Sequence, residues 1–270
     1  MAGLLKDKRD DEDVDRQFAT TLARGLKVLR AFGPTESQLT NKEIAERTGL
    51  PKPTVSRLTY TLTSLGYLRY LPNSGKYGKY GLGTAVLSIG YPLLGNLHIR
   101  QIARRPMQEL ANHARGWVSM GLRDRINMVC IETTRSRAVL TLSRADIGQS
   151  FPILSSSMGR AYLAGVSKRE RTEIMNQVMV KDPALWESHA DSIAQCLVDF
   201  AQRGFCFGRG QNIPAVEAVS VPMRFPIDDF LLVFNCAVPA ASVAPKQFEV
   251  DLGPRLVGMV RSIEEAFLRG

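Results

Sequence analysis

The chain has 270 residues, 44% hydrophobic and 23% charged, with 35 Lys and Arg against 26 Asp and Glu. That is a globular composition with room for two domains. No apolar run approaches the ~18 residues of a membrane span, and the N-terminus lacks the apolar core and cleavage site of a signal peptide, so a cytoplasmic protein with no membrane partner is expected.

Residues 1–16 alternate charge and read as a disordered leader. A helix is expected from Phe18 to Phe32, with Leu22, Leu26, Leu29 and Phe32 as its apolar stripe, joined by Val28 and Ala31, and Gly33-Pro34 as its stop. Residues 39–66 then read as two short helices around a tight turn. Thr40 and Glu43 form a capping box at the start of the first. Gly49 ends it in a left-handed position that costs glycine little. Pro51 and Pro53 fit only before or inside the first turn of the next helix.

Val55, Leu58, Leu62 and Leu65 make the apolar stripe of that second helix. At ~100° per residue, its opposite face carries Pro53, Ser56, Arg57, Tyr60 and Ser64, with Lys52 and Thr54 on the flanks. No carboxylate falls between Lys52 and Arg69. A helix, a turn and a second helix with a bare, basic, hydroxyl-bearing face is the layout of a helix-turn-helix that enters the DNA major groove. Tyr67–Leu71 and Tyr80–Leu82 read as two strands of a small wing tipped by Lys76 and Lys79. The charge agrees: residues 17–82 hold ten basic and three acidic side chains, the footprint of a phosphate-binding module.

Residues 83–97 read as an apolar linker helix, bent or interrupted at Pro92. Its apolar side chains need cover, from a second copy of the chain or from its own domain. An amphipathic helix follows over 99–115, ended by Gly116. Strands are expected over Trp117–Leu122, Met128–Glu132 and Ala138–Leu142. Residues 150–166 read as a loop feeding a helix, and Ser167 to Glu170 as a second capping box. A helix over 187–202, strands at Ala218–Pro222 and Leu231–Val238, and a final helix over Leu252–Phe267 complete a mixed α/β domain. Cys130, Cys196, Cys206 and Cys236 have no C-x-x-C spacing and read as buried free thiols.

The motifs LARGLKVLRAF, LTNKEIAERTGLPKPTVSRLTYTLTSLGYL, SSSMGRAYLAG, RGFCFGRG and AVSVPM, in this order, resemble the IclR family of bacterial transcriptional regulators over about residues 18–268. The resemblance implies an α+β chain: a winged helix-turn-helix domain over 17–82, a linker helix over 83–97, and a GAF-like effector-binding domain with an antiparallel sheet over 98–270. It implies a homodimer or homotetramer and a small organic effector, often an aromatic or short carboxylic acid. It implies that Thr40, Lys52, Thr54 and Arg57 contact DNA. It also implies an effector pocket near Met158, Gly159, Gly208, Arg209, Ala218, Asn235 and Ala237. Gly208-Arg209-Gly210 stands where family members often have acidic residues, and Asn235 and Ala237 where they often have small hydroxyls.

Three features of the residues themselves favour an acid. Ser155, Ser156 and Ser157 precede a helix N-terminus, a ready anion site or simply a capped helix. Arg209, in a glycine-rich loop, could reach a carboxylate or be a solvated surface residue. Asn235 in an apolar strand needs a partner, from a ligand or from the core.

No histidine spacing fits a metal, no G-x-S-x-G is present, and no glycine run makes a phosphate loop, so neither catalysis nor a cofactor is called for. The reading is a DNA-binding regulator of a double-stranded operator, responsive to a small organic acid. A constitutive DNA-binding protein with a purely dimerising domain, or an enzyme with an accessory DNA-binding module, is the alternative.

Overall fold

The structure, a computed structural model, describes residues 18–33, 36–72, 78–138, 146–209, 215–244 and 246–269. The expected leader, the Pro34 stop, the wing residue Lys76, Gly210 and all but the first residue of the expected strand Ala138–Leu142 lie outside them. The chain divides into two units, Met1–Asn96 and Leu97–Gly270.

In the first unit, α1 (Thr20–Leu29) buries Gly25 and Val28. The expected stripe holds in its second half, where Val28 is buried and Leu29, Ala31 and Phe32 pack against the core, but Leu22 and Leu26 are 64% and 51% exposed, and Phe18 is 62% exposed. The helix carries two apolar rows. The row that turns inward is the one with Gly25, where a Cβ would stand 3.9 Å from Leu58 Cδ2. After β1 (Gln38–Leu39) comes α2 (Asn41–Thr48), which opens with the Thr40–Glu43 capping box and closes on left-handed Gly49. Next is α3 (Lys52–Ser64), with Pro53 in its first turn. Thr59, fully buried, donates to Asn41 Oδ1 at 3.1 Å and so pins α3 against α2. Strands β2 (Leu68–Leu71) and β3 (Lys79–Leu82) pair antiparallel, and β1 joins β3 from the other side. The wing therefore has three strands, not two. Val28, Leu39, Ile44, Val55 and Leu68 form the small core. The linker, α4 (Ala85–Asn96), continues through Pro92 and buries none of its residues.

The second unit is a sandwich of helices around one antiparallel six-stranded sheet, in the order β6-β5-β4-β9-β8-β7. Its strands are β4 (Trp117–Asp124), β5 (Asn127–Arg135), β6 (Ser150–Pro152), β7 (Cys206–Arg209), β8 (Val216–Pro222) and β9 (Val233–Pro239). Helices α5 (Ile99–Ala114) and α9 (Gly253–Arg269) cover the outer face. Ala103, Met107 and Leu110 of α5 and Leu256, Val260 and Ile263 of α9 are buried there. Arg115, not Gly116, takes the left-handed cap of α5. Gly116 is needed for another reason: a Cβ there would sit 2.1 Å from the Ala237 carbonyl oxygen.

Helix α6 (Ser157–Gly165) covers the inner face, backed by α7 (Lys168–Lys181) and α8 (Pro183–Arg203). Ser167 caps α7 through the Glu170 N–H, but the Glu170 carboxylate accepts from Tyr162 at 2.8 Å, so the reciprocal half of the expected box is diverted. On the outer side, Glu264 is fully buried and accepts from the Arg224 N–H, Arg224 Nε and Arg261 Nη1 at 2.6–2.7 Å. Such a pairing is what a buried carboxylate requires.

Candidate functional sites

The first site is the outward face of α3. Lys52, Pro53, Ser56, Arg57, Tyr60 and Ser64 are all exposed, Tyr60 by 76%. Thr54 is half-buried at their edge, and Val55 and Thr59 close the core behind. Leu65, expected in the buried stripe, is 62% exposed because the helix ends at Ser64 and its last turn leaves the core. Six side chains of the expected face thus stand together in solvent on one rigid helix, with no carboxylate among them.

Thr40 is more committed than its position implied. Its hydroxyl donates to Glu43 Oε2 at 2.9 Å and accepts from the Glu43 N–H at 3.2 Å, while its own N–H donates to the same carboxylate at 2.7 Å. These bonds hold the Glu43 carboxyl below its ordinary value; the cations Lys79 and Lys42 add smaller effects in the same direction. Lys79 therefore lies within the field of α2's first turn, at the β3 end of the wing.

The second site is the inner face of the sheet. Cross-strand partners share a face, so register alone sets its rows. One row runs Thr133, Ser119, Asn235, Ser220, Cys206 across β5, β4, β9, β8 and β7. The next runs Arg135, Trp117, Ala237, Ala218, Gly208. The second row and its neighbours Cys130 and Phe151 make an apolar floor centred on Trp117. Helix α6 begins above it. Met158 lies over Gly121, where a Cβ would stand 2.4 Å from its sulfur, and Ser157 lies over Gly208.

The expected pocket residues Ser157, Met158, Gly208, Ala218, Asn235 and Ala237 are therefore brought to one face. Others are not available as expected. Two of the three serine hydroxyls have partners: Ser156 caps the Gly159 N–H at 3.0 Å and donates to the Pro152 carbonyl at 2.9 Å, and Ser157 donates to Asn235 Oδ1 at 3.0 Å. The Asn235 amide oxygen is satisfied within the core, since Ser220 also donates to it at 2.9 Å. Gly159 is a packing glycine, with room for no Cβ against the Ile153 carbonyl oxygen 2.1 Å away. Arg209 belongs to strand β7 rather than to a loop, in register with Glu217 of β8; its side chain lies outside the described residues.

Sequence reasoning missed Trp117, Ser119, Thr133 and Arg135. Ser119 Oγ and Thr133 Oγ1 are buried and, among the described residues, bond to nothing. Arg135 places a guanidinium at the end of the floor row, where it pairs with Asp146. Cys130 stays a neutral thiol, pushed up to about 12 by burial.

Comparison with known proteins completes the description. The IclR helix-turn-helix domain family matches residues 21–72, and the bacterial transcriptional regulator IclR C-terminal family matches residues 92–249. The HTH-type transcriptional regulator TsaQ1/TsaQ2 of Comamonas testosteroni is 31% identical over 248 residues, covering 90% of this chain and 87% of that protein. A crystal structure of an IclR family transcriptional regulator from Brucella abortus is 44% identical, with a TM-score of 0.81, covering 94% of this chain and 95% of that one. A Microbacterium hydrocarbonoxydans IclR homologue, solved in complex with 4-hydroxybenzoate, shares the fold at 19% identity, with a TM-score of 0.65 over 91% of this chain and 99% of that one.

Proposed function

Because the chain belongs to the IclR family of bacterial transcriptional regulators, we propose that its operator affinity is set by a small organic acid bound on the inner face of the second unit. In this reading α3 lies in the major groove, with Lys52, Thr54, Ser56 and Arg57 as its principal contacts and Tyr60 and Pro53 beside them. The wing, through Lys79 and Lys76, meets phosphates. The family's members are regulators, and the chain acts here as a DNA-binding protein rather than as an enzyme.

The effector part rests on one observation: the two unpartnered buried hydroxyls of Ser119 and Thr133 stand beside the flat apolar floor of Trp117, Ala218 and Ala237. A buried hydroxyl without a partner costs about 1–3 kcal/mol. A ligand that hydrogen-bonds to both recovers that cost, and an aromatic ring suits the floor. A carboxylate would compete with Asp146 for the Arg135 guanidinium, which presents a planar fork.

A homodimer or homotetramer is part of the proposal. One helix-turn-helix selects a genomic site poorly, and paired units read half-sites about one helical turn apart. The exposed apolar residues of α1 (Leu22, Leu26), Phe18 just before it, and α4 (Leu87, Ile89, Tyr91) supply surface for pairing.

The test is a thermal-shift panel of aromatic and short-chain acids that includes 4-hydroxybenzoate. A bound acid raises the melting temperature in proportion to ln(1 + [L]/Kd), and Ala237→Leu, which fills the floor, removes the rise. If no acid in a broad panel shifts the transition, or if Ala237→Leu leaves the shift intact, the effector is not an acid held on this face.

A further inference from the structure

Two of the four thiols meet at the β7 edge of the sheet. Cys196 sits on α8 and Cys206 opens β7, and left-handed Gly204 turns the chain between them. The Cys206 thiol donates to the Cys196 carbonyl oxygen at 3.7 Å, which sets the two residues side by side.

A cavity of about 350 Å³ opens against the pair, with Arg160, Gln195, Cys196, Asp199, Arg203 and Phe207 among its walls. Cys196 reaches this cavity, while Cys206 lies behind it, fully buried. Arg160 is only 3% exposed; its Nη2 donates to the Phe207 carbonyl at 2.7 Å and covers the free edge of β7. Its charge also acts on both sulfurs. The Cys206 thiol is pushed up, first by its hydrogen bond to Cys196 and then by burial. Cys196, on the cavity wall, is the sulfur that an entering molecule meets first, with Cys206 behind it. Cys130 and Cys236, in contrast, are each pushed up to about 12 by burial alone or chiefly so.

We propose that Cys196 and Cys206 form a reversible dithiol site that a hydroperoxide, entering through this cavity, converts to a disulfide. The Cys196 sulfur attacks one peroxide oxygen as its proton departs, and the O–O bond breaks. Cys196 becomes a sulfenic acid, and the departing oxygen leaves as water after taking up a proton. Cys206 then attacks the Cys196 sulfur. The S–O bond breaks, the S–S bond forms, and the Cys206 proton leaves with the hydroxyl as a second water. Two thiols lose two electrons and one hydrogen peroxide is reduced to two waters. The bond fastens α8 to the strand that carries Gly208, one wall of the inner face.

The test uses the full chain in its reduced form, treated with a roughly tenfold molar excess of hydrogen peroxide and then digested with trypsin. Cys196 and Cys206 fall in separate tryptic peptides, residues 182–203 and 204–209. The expected result is an intact-mass loss of about 2 Da and a cross-linked pair of those two peptides, both reversed by dithiothreitol. Cys206→Ser should halt the reaction at a Cys196 sulfenic acid trapped by dimedone, and Cys130→Ser should leave the cross-link unchanged. An unchanged mass, stable oxygen adducts without a cross-link, or a link to Cys130 or Cys236 in the unsubstituted protein would overturn the proposal. That measurement needs no variant to fold and no DNA to bind.

Discussion

Gly208→Ala probes the wall between β7 and α6, where the inner face is narrowest. A Cβ at position 208 would fall 2.8 Å from Ser157 Cβ and 3.1 Å from its Oγ. The nearer atom, Cβ, is fixed by the backbone and cannot rotate away, so β7 or the first turn of α6 must shift. Overpacking of this kind costs about 1–3 kcal/mol. The shift also strains the 3.0 Å bond from Ser157 to Asn235, whose loss costs about 0.5–1.5 kcal/mol. The substitution should therefore destabilise the second unit by about 1.5–4.5 kcal/mol. The low end is the expectation, because β7 is an edge strand and can bow outward. Trp117 and Trp186 both belong to the second unit, so urea unfolding followed by tryptophan fluorescence reports on it. Ser157→Gly removes both clashing atoms. In that background Gly208→Ala should cost about 1–3 kcal/mol less, a coupling that a double-mutant cycle reads directly. Equal costs in the two backgrounds would refute the close approach and the pocket wall built on it.

Arg57→Ala should weaken cognate binding by about 1–3 kcal/mol if Arg57 reads a base edge, and much less on random duplex, measured by fluorescence anisotropy; equal losses on both would make it a phosphate contact only. Glu264→Ala should destabilise the second unit by about 3–5 kcal/mol in urea, because it strands partly buried Arg261 and orphans the Arg224 N–H. Thr40→Ala should cost the first unit about 1 kcal/mol by loss of the cap. Glu43's folded carboxyl is depressed, so the stability it brings is present above the ordinary value of 4.5 and fades as pH falls through the folded value; Thr40→Ala should flatten that acid-side loss in thermal melts from pH 3 upward. Ile89→Glu, placed on a helix that buries nothing in the single chain, should lower the oligomeric state seen by light scattering; an unchanged mass would remove α4 from the pairing surface.

The helix-turn-helix was legible because its signals are local. A capping box, a left-handed glycine and a 3.6-residue period each act within a few residues, and α2 and α3 follow them nearly to the residue. α1 is legible in its second half, where Val28, Leu29, Ala31 and Phe32 meet the core, but not in its first: the helix has two apolar rows, and only the identity of the neighbour, Leu58 over Gly25, decides which turns inward. The pocket was harder. Trp117 to Leu122 is buried on both faces, so no alternation of polar and apolar residues marks the inner row. The alignment of Ser119 with Thr133 and Asn235 is a matter of strand register, and the shift between Met120 and Gly121 in the β4–β5 ladder makes that register invisible to spacing. The second strand of the wing was seen, but β1 was not, because two residues, Gln38 and Leu39, carry no period.

The central claim is that α3's exposed face reads DNA as a specific surface. Selection of bound fragments from a random duplex pool by the full-length protein tests it most directly. The account predicts enrichment of one sequence with two related half-sites about one helical turn, or a multiple of it, apart, and loss of that enrichment in the Lys52→Ala/Arg57→Ala double variant. A pool that stays random after repeated rounds, or one that the double variant enriches equally, would contradict it.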